Sequence, residues 1–300
     1  MNKKISCCVG VMAFNEEVNM RFILEALLKQ RLSSCEINEI VVVASGCTDQ
    51  TERIVKTMAA SNKLVKLAVQ DRREGKASAI NLFLSRAKGD VAVIESGDTI
   101  PEASAVENLV RPFHDPTVGM TGGRPVPVDS KDSFMGFTVN LFWRLHHEMA
   151  LNHPKLGELI AFRNIVRKIP EDTAVDEASI EAVITKAGYR IHYAEEAVVF
   201  NKGAETISDF LKQRRRVMVG HKHLQKTHDY TVSSMKIRNL FSLYHQLFED
   251  TPRSLKTFLW TSGAVFLEIF GRFLGDYDYY IKRKNPFAWE VAESTKEIRR

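Results

Sequence analysis

Ile5-Ser6-Cys7-Cys8-Val9-Gly10-Val11-Met12-Ala13 runs without a charge and ends on Phe14-Asn15-Glu16-Glu17. A short apolar run of this kind reads as a central strand of a parallel sheet, covered on both faces. An Asn ahead of two acids reads as the start of the next helix, where unpaired backbone N–H groups favour negative charge. The alternation repeats. Further strands are expected over Ile37–Ala44, Leu64–Val69, Val91–Ile94 and Val118–Gly122. Helices are expected from Asn15 through Leu28, over Thr51–Ala60 and Lys76–Ala87, and from Pro101 to Phe113. Strands alternating with helices imply an α/β fold with a mostly parallel, twisted sheet and right-handed crossovers.

In such sheets ligands gather at the carboxyl ends of the strands. Short polar motifs stand at those ends: Phe14-Asn15-Glu16-Glu17, Ser45-Gly46-Cys47-Thr48-Asp49, Glu74-Gly75-Lys76-Ala77-Ser78-Ala79-Ile80-Asn81 and Glu95-Ser96-Gly97-Asp98. Asp176-Glu177 and Gln213-Arg214-Arg215-Arg216 follow later. The Pro-rich Arg124-Pro125-Val126-Pro127 marks a transition and suggests three segments, 1–127, 128–205 and 206–300. The second segment reads as a helix over Phe134–Leu151, a strand near Leu159–Arg163, a helix over Asp176–Ala187 stopped by Gly188, and strands over Arg190–Tyr193 and Ala197–Phe200. From Ser208 the chain reads as helical, first basic and then amphipathic.

The 300 residues, 44% hydrophobic and 26% charged, suit one large domain or a domain with an appendage. A net charge of +5 gives no reason to expect nucleic acid. Residues 202–238 are basic, among them Lys212, Lys222, Lys226, Lys236 and Arg238, which suits phosphate groups, an anionic membrane surface or a solvated helix face. Cys7, Cys8, Cys35 and Cys47 show no zinc or disulfide spacing, so reduced thiols and a cytoplasmic setting are expected. No signal peptide is read at Met1-Asn2-Lys3-Lys4, and no run reaches the roughly 18 apolar residues of a spanning helix.

Asp98 follows a strand and precedes a turn, where a carboxylate can hold a divalent ion against a diphosphate or cap the next helix. Magnesium needs only one or two carboxylates if phosphate and water supply the rest. Taken together, the motifs resemble family 2 inverting glycosyltransferases of GT-A fold. Ser96-Gly97-Asp98 resembles their Asp-x-Asp metal motif, with Ser96 where the first Asp is usual. Ala13-Phe14-Asn15-Glu16-Glu17 resembles their Pro-Ala-Tyr-Asn-Glu strand end. Ser45-Gly46-Cys47-Thr48-Asp49-Gln50-Thr51 resembles their Asp-Gly-Ser-x-Asp-x-Thr loop, with Ala44-Ser45 where an acid is usual. Gly75 to Asn81 resembles their Gly-Lys-x-x-Ala-x-Asn element.

The resemblance implies a nucleoside diphosphate sugar, UDP- or GDP-linked, along Phe14, Glu16, Ser45, Gly75, Lys76 and Ser96, and a Mg²⁺ or Mn²⁺ ion at Asp98. Phe14 can pack on a base, Glu16 can accept from base or ribose, and Lys76 stands at a helix start that favours phosphate. A core Phe, a helix-start acid and a simple turn are the plain alternatives. The resemblance also makes Asp176-Glu177 the acidic pair that carries the catalytic base, with Glu177 preferred. Gln213, Arg215 and Arg216 resemble part of a Gln-x-x-Arg-Trp motif, with Val217 in place of Trp, and are expected at the diphosphate. His146, His147, His221 and His223 read as structural or exposed in preference to metal ligands.

Phe258 to Leu274, with Tyr277, Tyr279, Tyr280, Lys282-Arg283-Lys284 and Trp289, suits an interfacial helix on the cytoplasmic membrane face, or else a core or dimer contact. An acceptor glycan, free or polyprenyl-linked, is the expected partner. A non-catalytic nucleotide-sugar binder and a sugar nucleotidyltransferase are the alternatives. The latter normally carries a Gly-rich loop with Arg and Lys where Phe14-Asn15-Glu16-Glu17 stands.

Overall fold

The computed structural model describes residues 3–228, 254–283 and 293–298. Lys236, Arg238, Lys284 and Trp289 lie outside the described residues. The opening run forms β1 (Ile5–Ala13), flanked in parallel by β2 (Cys35–Ser45) and β4 (Val91–Ser96), with β3 (Val65–Gln70) parallel outside β2. Beyond β4 the direction changes. β7 (Ile160–Arg163) runs antiparallel to β4, and β6 (Val118–Pro127) antiparallel to β7. β8 (Arg190–Asn201) is parallel to β6, and β5 (Thr99–Pro101) closes the edge antiparallel to β8. The result is a mixed, mostly parallel sheet of eight strands in the order β3-β2-β1-β4-β7-β6-β8-β5.

Alternation along β1 explains the two cores, since neighbouring side chains leave a strand on opposite faces. Cys7, Val9, Val11 and Ala13 pack with α1 (Met20–Leu28), α2 (Thr51–Ser61) and α4 (Ala105–Val110). Cys8 and Met12 pack with α3 (Lys76–Leu84) and α6 (Asp176–Lys186). Gly10 faces Phe83: a Cβ there would stand 2.6 Å from the ring, so a side chain at 10 would push α3 off the sheet. All four cysteines are free.

Four elements differ from the sequence reading. α1 starts at Met20 and not at Asn15, because residues 14–19 form a loop held by side-chain bonds. Pro101 ends the short strand β5 and does not open a helix. β6 runs through Pro125 and Pro127, because among the described residues β8 is its only strand neighbour beyond Gly122 and missing N–H groups leave no second ladder broken. The two strands expected over 190–200 are one, β8, interrupted between Tyr193 and Val198 by a register shift.

The remaining helices lie beyond the sheet. α8 (Leu255–Tyr280) packs on α7 (Ile207–His228) and on α5 (Phe134–Asn152). Gly271 and Gly275 let it approach Arg214 and Met218, where a Cβ would meet theirs at 2.7 and 2.6 Å. Trp260 sits edge-on to Phe134 and Phe137. Its outer face leaves Phe258, Leu259, Phe266, Ile269, Phe273 and Tyr280 exposed. Among the described residues no helix is long and apolar enough to cross a membrane.

Candidate active site

The first two motifs lock onto each other. Asn15 takes a left-handed backbone (φ 52°), which Asn tolerates. Its amide donates to Thr48 Oγ1 at 3.1 Å and its carbonyl oxygen accepts the Thr48 N–H at 2.8 Å. Glu16 N–H donates to Thr51 Oγ1 at 2.8 Å, and Glu17 N–H to Asp49 Oδ2 at 3.0 Å. Glu17 in turn accepts from the Gln50 N–H at 2.8 Å. These polar residues therefore hold two strand ends together and leave Phe14, Glu16 and Ser45 at the rim.

Each rim residue has a definite surrounding. The Arg73 guanidinium lies 4.2 Å over the Phe14 ring. Ser45, at the end of β2, is buried and its hydroxyl has no hydrogen-bond partner. Glu16 is buried, accepts from Asn19 Nδ2 at 3.1 Å and is paired to Lys296 Nζ, which also donates to the Phe14 carbonyl. Burial and the Asp98 charge push the Glu16 carboxyl up to about 8, against Lys296 and Asn19. Lys296 had no signal in the sequence: it stands far along the chain, outside any motif.

The metal-type motif depends on close backbone approach. Gly97 donates its N–H to the Met12 carbonyl at 2.9 Å, and a Cβ on it would come within 2.8 Å of that same oxygen and of Glu16 Cγ. Only glycine brings the β4 end against the β1 end, and Asp98 is the next residue. Ser96 is buried beside it. Glu95 is wholly buried, accepts from Thr99 Oγ1 at 2.5 Å and leaves Oε2 without a partner. Burial raises its carboxyl to about 8, helped by Glu158 and Asp98 and opposed by the Thr99 bond and Lys76.

Opposite, Gly75 (φ 93°) turns the chain into α3 and places Lys76 at the first helical position. Lys76 Nζ lies 3.0 Å from Asp176 Oδ2 and 3.3 Å from Glu177 Oε1. Burial disfavours its ammonium, but Asp176, Glu177 and Glu158 outweigh burial and raise its pKa. Burial, then Asp176, raise the Glu177 carboxyl, against Lys76. Glu158 belongs to the same group: burial and Asp98 raise it, Lys76 and Arg216 pull it down. Arg216 is lowered by burial and held up by Glu177, Asp176, Glu158 and Asp98. Asp98, Lys76, Glu158, Asp176, Glu177 and Arg216 thus share one electrostatic neighbourhood, with four carboxylates facing two cations.

Glu158 escaped the sequence reading because no motif surrounds it. Its location follows from strand direction. β7 is antiparallel to β4, with Ile160 beside Ile94, so the start of β7 lies at the carboxyl end of β4.

Arg215 is placed elsewhere. Its guanidinium binds Asp278 of α8 at 2.6 Å, so it fastens two helices and does not enter the cleft. Gln213 is partly exposed on α7, one turn before Arg216. The histidines do not converge: His147 Nδ1 meets Tyr193 OH at 2.9 Å, His223 Nε2 meets Asp172 at 3.0 Å, and His146 is buried, its pKa lowered by burial. Among the described residues no three side chains of metal-ligating type stand close enough to cage an ion alone.

Comparison with known proteins gives the family and the fold. The profile of Glycosyl transferase family 2 matches residues 8–168, and that of Glycosyl transferase family group 2 matches residues 89–277. Poly-beta-1,6-N-acetyl-D-glucosamine synthase of Staphylococcus aureus is 25% identical over 229 residues, 72% of this chain and 54% of that protein. The chain spans about half the length of the curated relatives it matches. The mannosyltransferase PcManGT from Pyrobaculum calidifontis, solved with GDP-Man and Mn²⁺, is similar at a TM-score of 0.64 and 21% identity, over 96% of this chain and 89% of that one. Glucosyl-3-phosphoglycerate synthase from Mycobacterium tuberculosis, solved with Mn²⁺, UDP and glucosyl-3-phosphoglycerate, gives a TM-score of 0.52 at 17% identity, over 76% and 82% of the two chains. Both show the same fold.

Proposed function

The chain belongs to glycosyl transferase family 2, and from that premise we propose that it passes a sugar from a UDP- or GDP-linked donor to an acceptor hydroxyl in one inverting displacement. The observation that carries this reading is the single neighbourhood of Asp98, Lys76, Glu158, Asp176, Glu177 and Arg216 at the sheet's edge. A general base must stand across from the leaving group, and these residues supply both sides.

Glu177 is the base in this reading. It is a quarter exposed, whereas Asp176 is nearly enclosed, and burial raises its pKa from the ordinary carboxylate value, the direction a general base needs. Lys76 pairs with the carboxylates of both and, at the first turn of α3, is the cation that meets the diphosphate in this reading. Arg216, and with it Gln213, faces the phosphates from α7. Phe14, Glu16 and Ser45 border the base and ribose.

A divalent cation fits the donor set. Four carboxylates against two cations would repel a diphosphate unless further positive charge accompanied it. One carboxylate, Asp98, is enough for Mg²⁺ or Mn²⁺ when phosphate oxygens and water complete the shell. Both structures above hold Mn²⁺. When bound, the ion supplies Lewis-acid charge to the leaving diphosphate. The exposed apolar stripe of α8 suits contact with a membrane surface, and the reading extends to the cytoplasmic membrane face and a glycan or polyprenyl-linked acceptor.

The test is release of nucleoside diphosphate from UDP- and GDP-sugars with Mg²⁺ or Mn²⁺, with and without acceptor extract. Asp98→Ala and Glu177→Gln should each lower transfer about 100- to 10,000-fold, with unchanged thermal unfolding. Full transfer in either variant removes that residue from the reaction. Tight donor binding with no turnover in wild type supports the non-catalytic alternative.

A further inference from the structure

Residues 293–298 return to the rim of the cleft from far along the chain, and the transfer chemistry leaves them unused. A short 3-10 turn, Glu293–Thr295, opens the segment. It is tied at both ends. Beside the start of α7, Ser294 Oγ donates to Asp209 Oδ2 at 2.7 Å and accepts the Glu205 N–H at 3.3 Å. At the other end the Ile298 side chain is buried in the core that β1 and α1 share. Asn19, itself buried, clasps the backbone between: its carbonyl oxygen accepts the Ile298 N–H at 3.2 Å, and its amide donates to the Lys296 carbonyl. None of these ties uses the Lys296 side chain.

That side chain is spent on the rim. An ammonium has three N–H donors. Three acceptors surround this one: the Phe14 carbonyl, the Asn15 carbonyl at 3.3 Å and Glu16 Oε1. Nζ also stands 5.6 Å from the centre of the Phe14 ring. Two consecutive carbonyls aimed at one cation fix the turn at the left-handed Asn15, and with it the direction in which Phe14 leaves the backbone. Glu16 is held from three sides. Lys296 is on Oε1, Asn19 Nδ2 is on Oε2 at 3.1 Å, and the Gly97 backbone lies against its stem, where a Cβ would stand 2.8 Å from Cγ. Hydrogen bonds from a cation to a buried carboxylate are the strong ones, and losing the cation leaves a buried charge unpaired. Withdrawing the segment to admit a ligand would break the Asn19 and Ser294 bonds and expose Ile298. It is therefore wall and not plug.

We propose that Lys296 is a positioning residue for the nucleoside half of the donor: it holds Phe14 and Glu16 where base and ribose meet them. This rests on the transferase reading, in which those two residues border the nucleotide.

The test is calorimetric titration of the full chain with UDP and with GDP, each with Mg²⁺. Wild type is expected to bind at least one of them. Lys296→Met should weaken that binding about tenfold or more, whereas Lys296→Arg, which keeps the cation, should stay within about threefold of wild type. Ser294→Ala unties the segment from α7 without touching the rim and should leave the affinity alone. Glu16→Gln and the double variant with Lys296→Met close a cycle. If Lys296 acts through Glu16, the double variant loses clearly less than the two single losses combined; losses that simply add would make Lys296 a separate contact and overturn the positioning role. The double variant leaves no buried charge unpaired, so it stands in should Lys296→Met fail to fold, and wild-type affinity in it overturns the proposal. Unchanged or tighter binding in Lys296→Met does the same, as does a loss in Ser294→Ala as large as that in Lys296→Met. If wild type binds neither nucleotide, the transferase reading falls and the role of Lys296 with it. If wild type binds and Lys296→Met binds equally well, only the role of Lys296 falls.

Discussion

Glu95 shows how one buried side chain sets a pH dependence. Its carboxyl has one hydrogen bond, from Thr99, and an orphaned, fully buried Oε2. Its folded-state pKa, about 8, lies above the ordinary 4.5, so the folded chain keeps a proton that the unfolded chain releases between those values. Stability from this group is present below about pH 4.5 and is lost as pH rises toward about 8. Glu95→Gln keeps the shape and removes the titration. Urea unfolding should show the variant gaining on wild type between about pH 5 and about pH 8, by on the order of a few kcal/mol. A constant difference across that range would mean that Glu95 is already ionised. His146 and His221, whose pKa values burial lowers, contribute equally to both proteins and cancel in the comparison.

At the scale of elements, the β1–β4 junction and α8 make separate demands. Gly97→Ala would set a methyl group 2.8 Å from the Met12 carbonyl oxygen, a backbone atom that cannot swing aside. The strands must part, at a cost of about 1–3 kcal/mol, and Asp98 moves with them. Chemical denaturation should register the loss, and transfer should fall further than stability does. Unaltered transfer at full stability would show that the junction tolerates a side chain. α8 divides its length between a buried face against α5 and α7 and the exposed Phe266, Ile269 and Phe273. Phe266→Glu with Phe273→Glu leaves the buried face alone. If the outer face lies on a bilayer, wild type floats with anionic liposomes and the double variant does not; equal flotation rejects the membrane contact.

Over the whole molecule, residues far apart in the sequence meet in a way that only folding reveals. Lys296 reaches the β1 loop, pairs with Glu16 and donates to the Phe14 carbonyl, while the Ile298 N–H donates to Asn19 Oδ1 at 3.2 Å. Lys296→Met strips Glu16 of its cation, so amide exchange at Asn19 and Ile298 should quicken in the variant. Unchanged protection at both would show that the segment is held by packing alone. The strand-and-helix alternation and the stop at Gly188 were legible from the sequence, because periodicity and punctuation are local. The expectation that Asp98, Lys76 and Asp176-Glu177 share a site came from the family resemblance, and in the fold Lys76 Nζ stands 3.0 Å from Asp176 and 3.3 Å from Glu177. Arg215 was not separable from Arg216, because which face of α7 meets α8 depends on a helix packed from much later in the chain. Glu158 entered the site through the reversed direction of β7, and Lys296 reached its rim from a segment far along the chain. Backbone periodicity and turn chemistry act between near neighbours, and the sequence alone fixed them. Charge balance acts through space between residues far apart in the chain, and only the packed structure determined it.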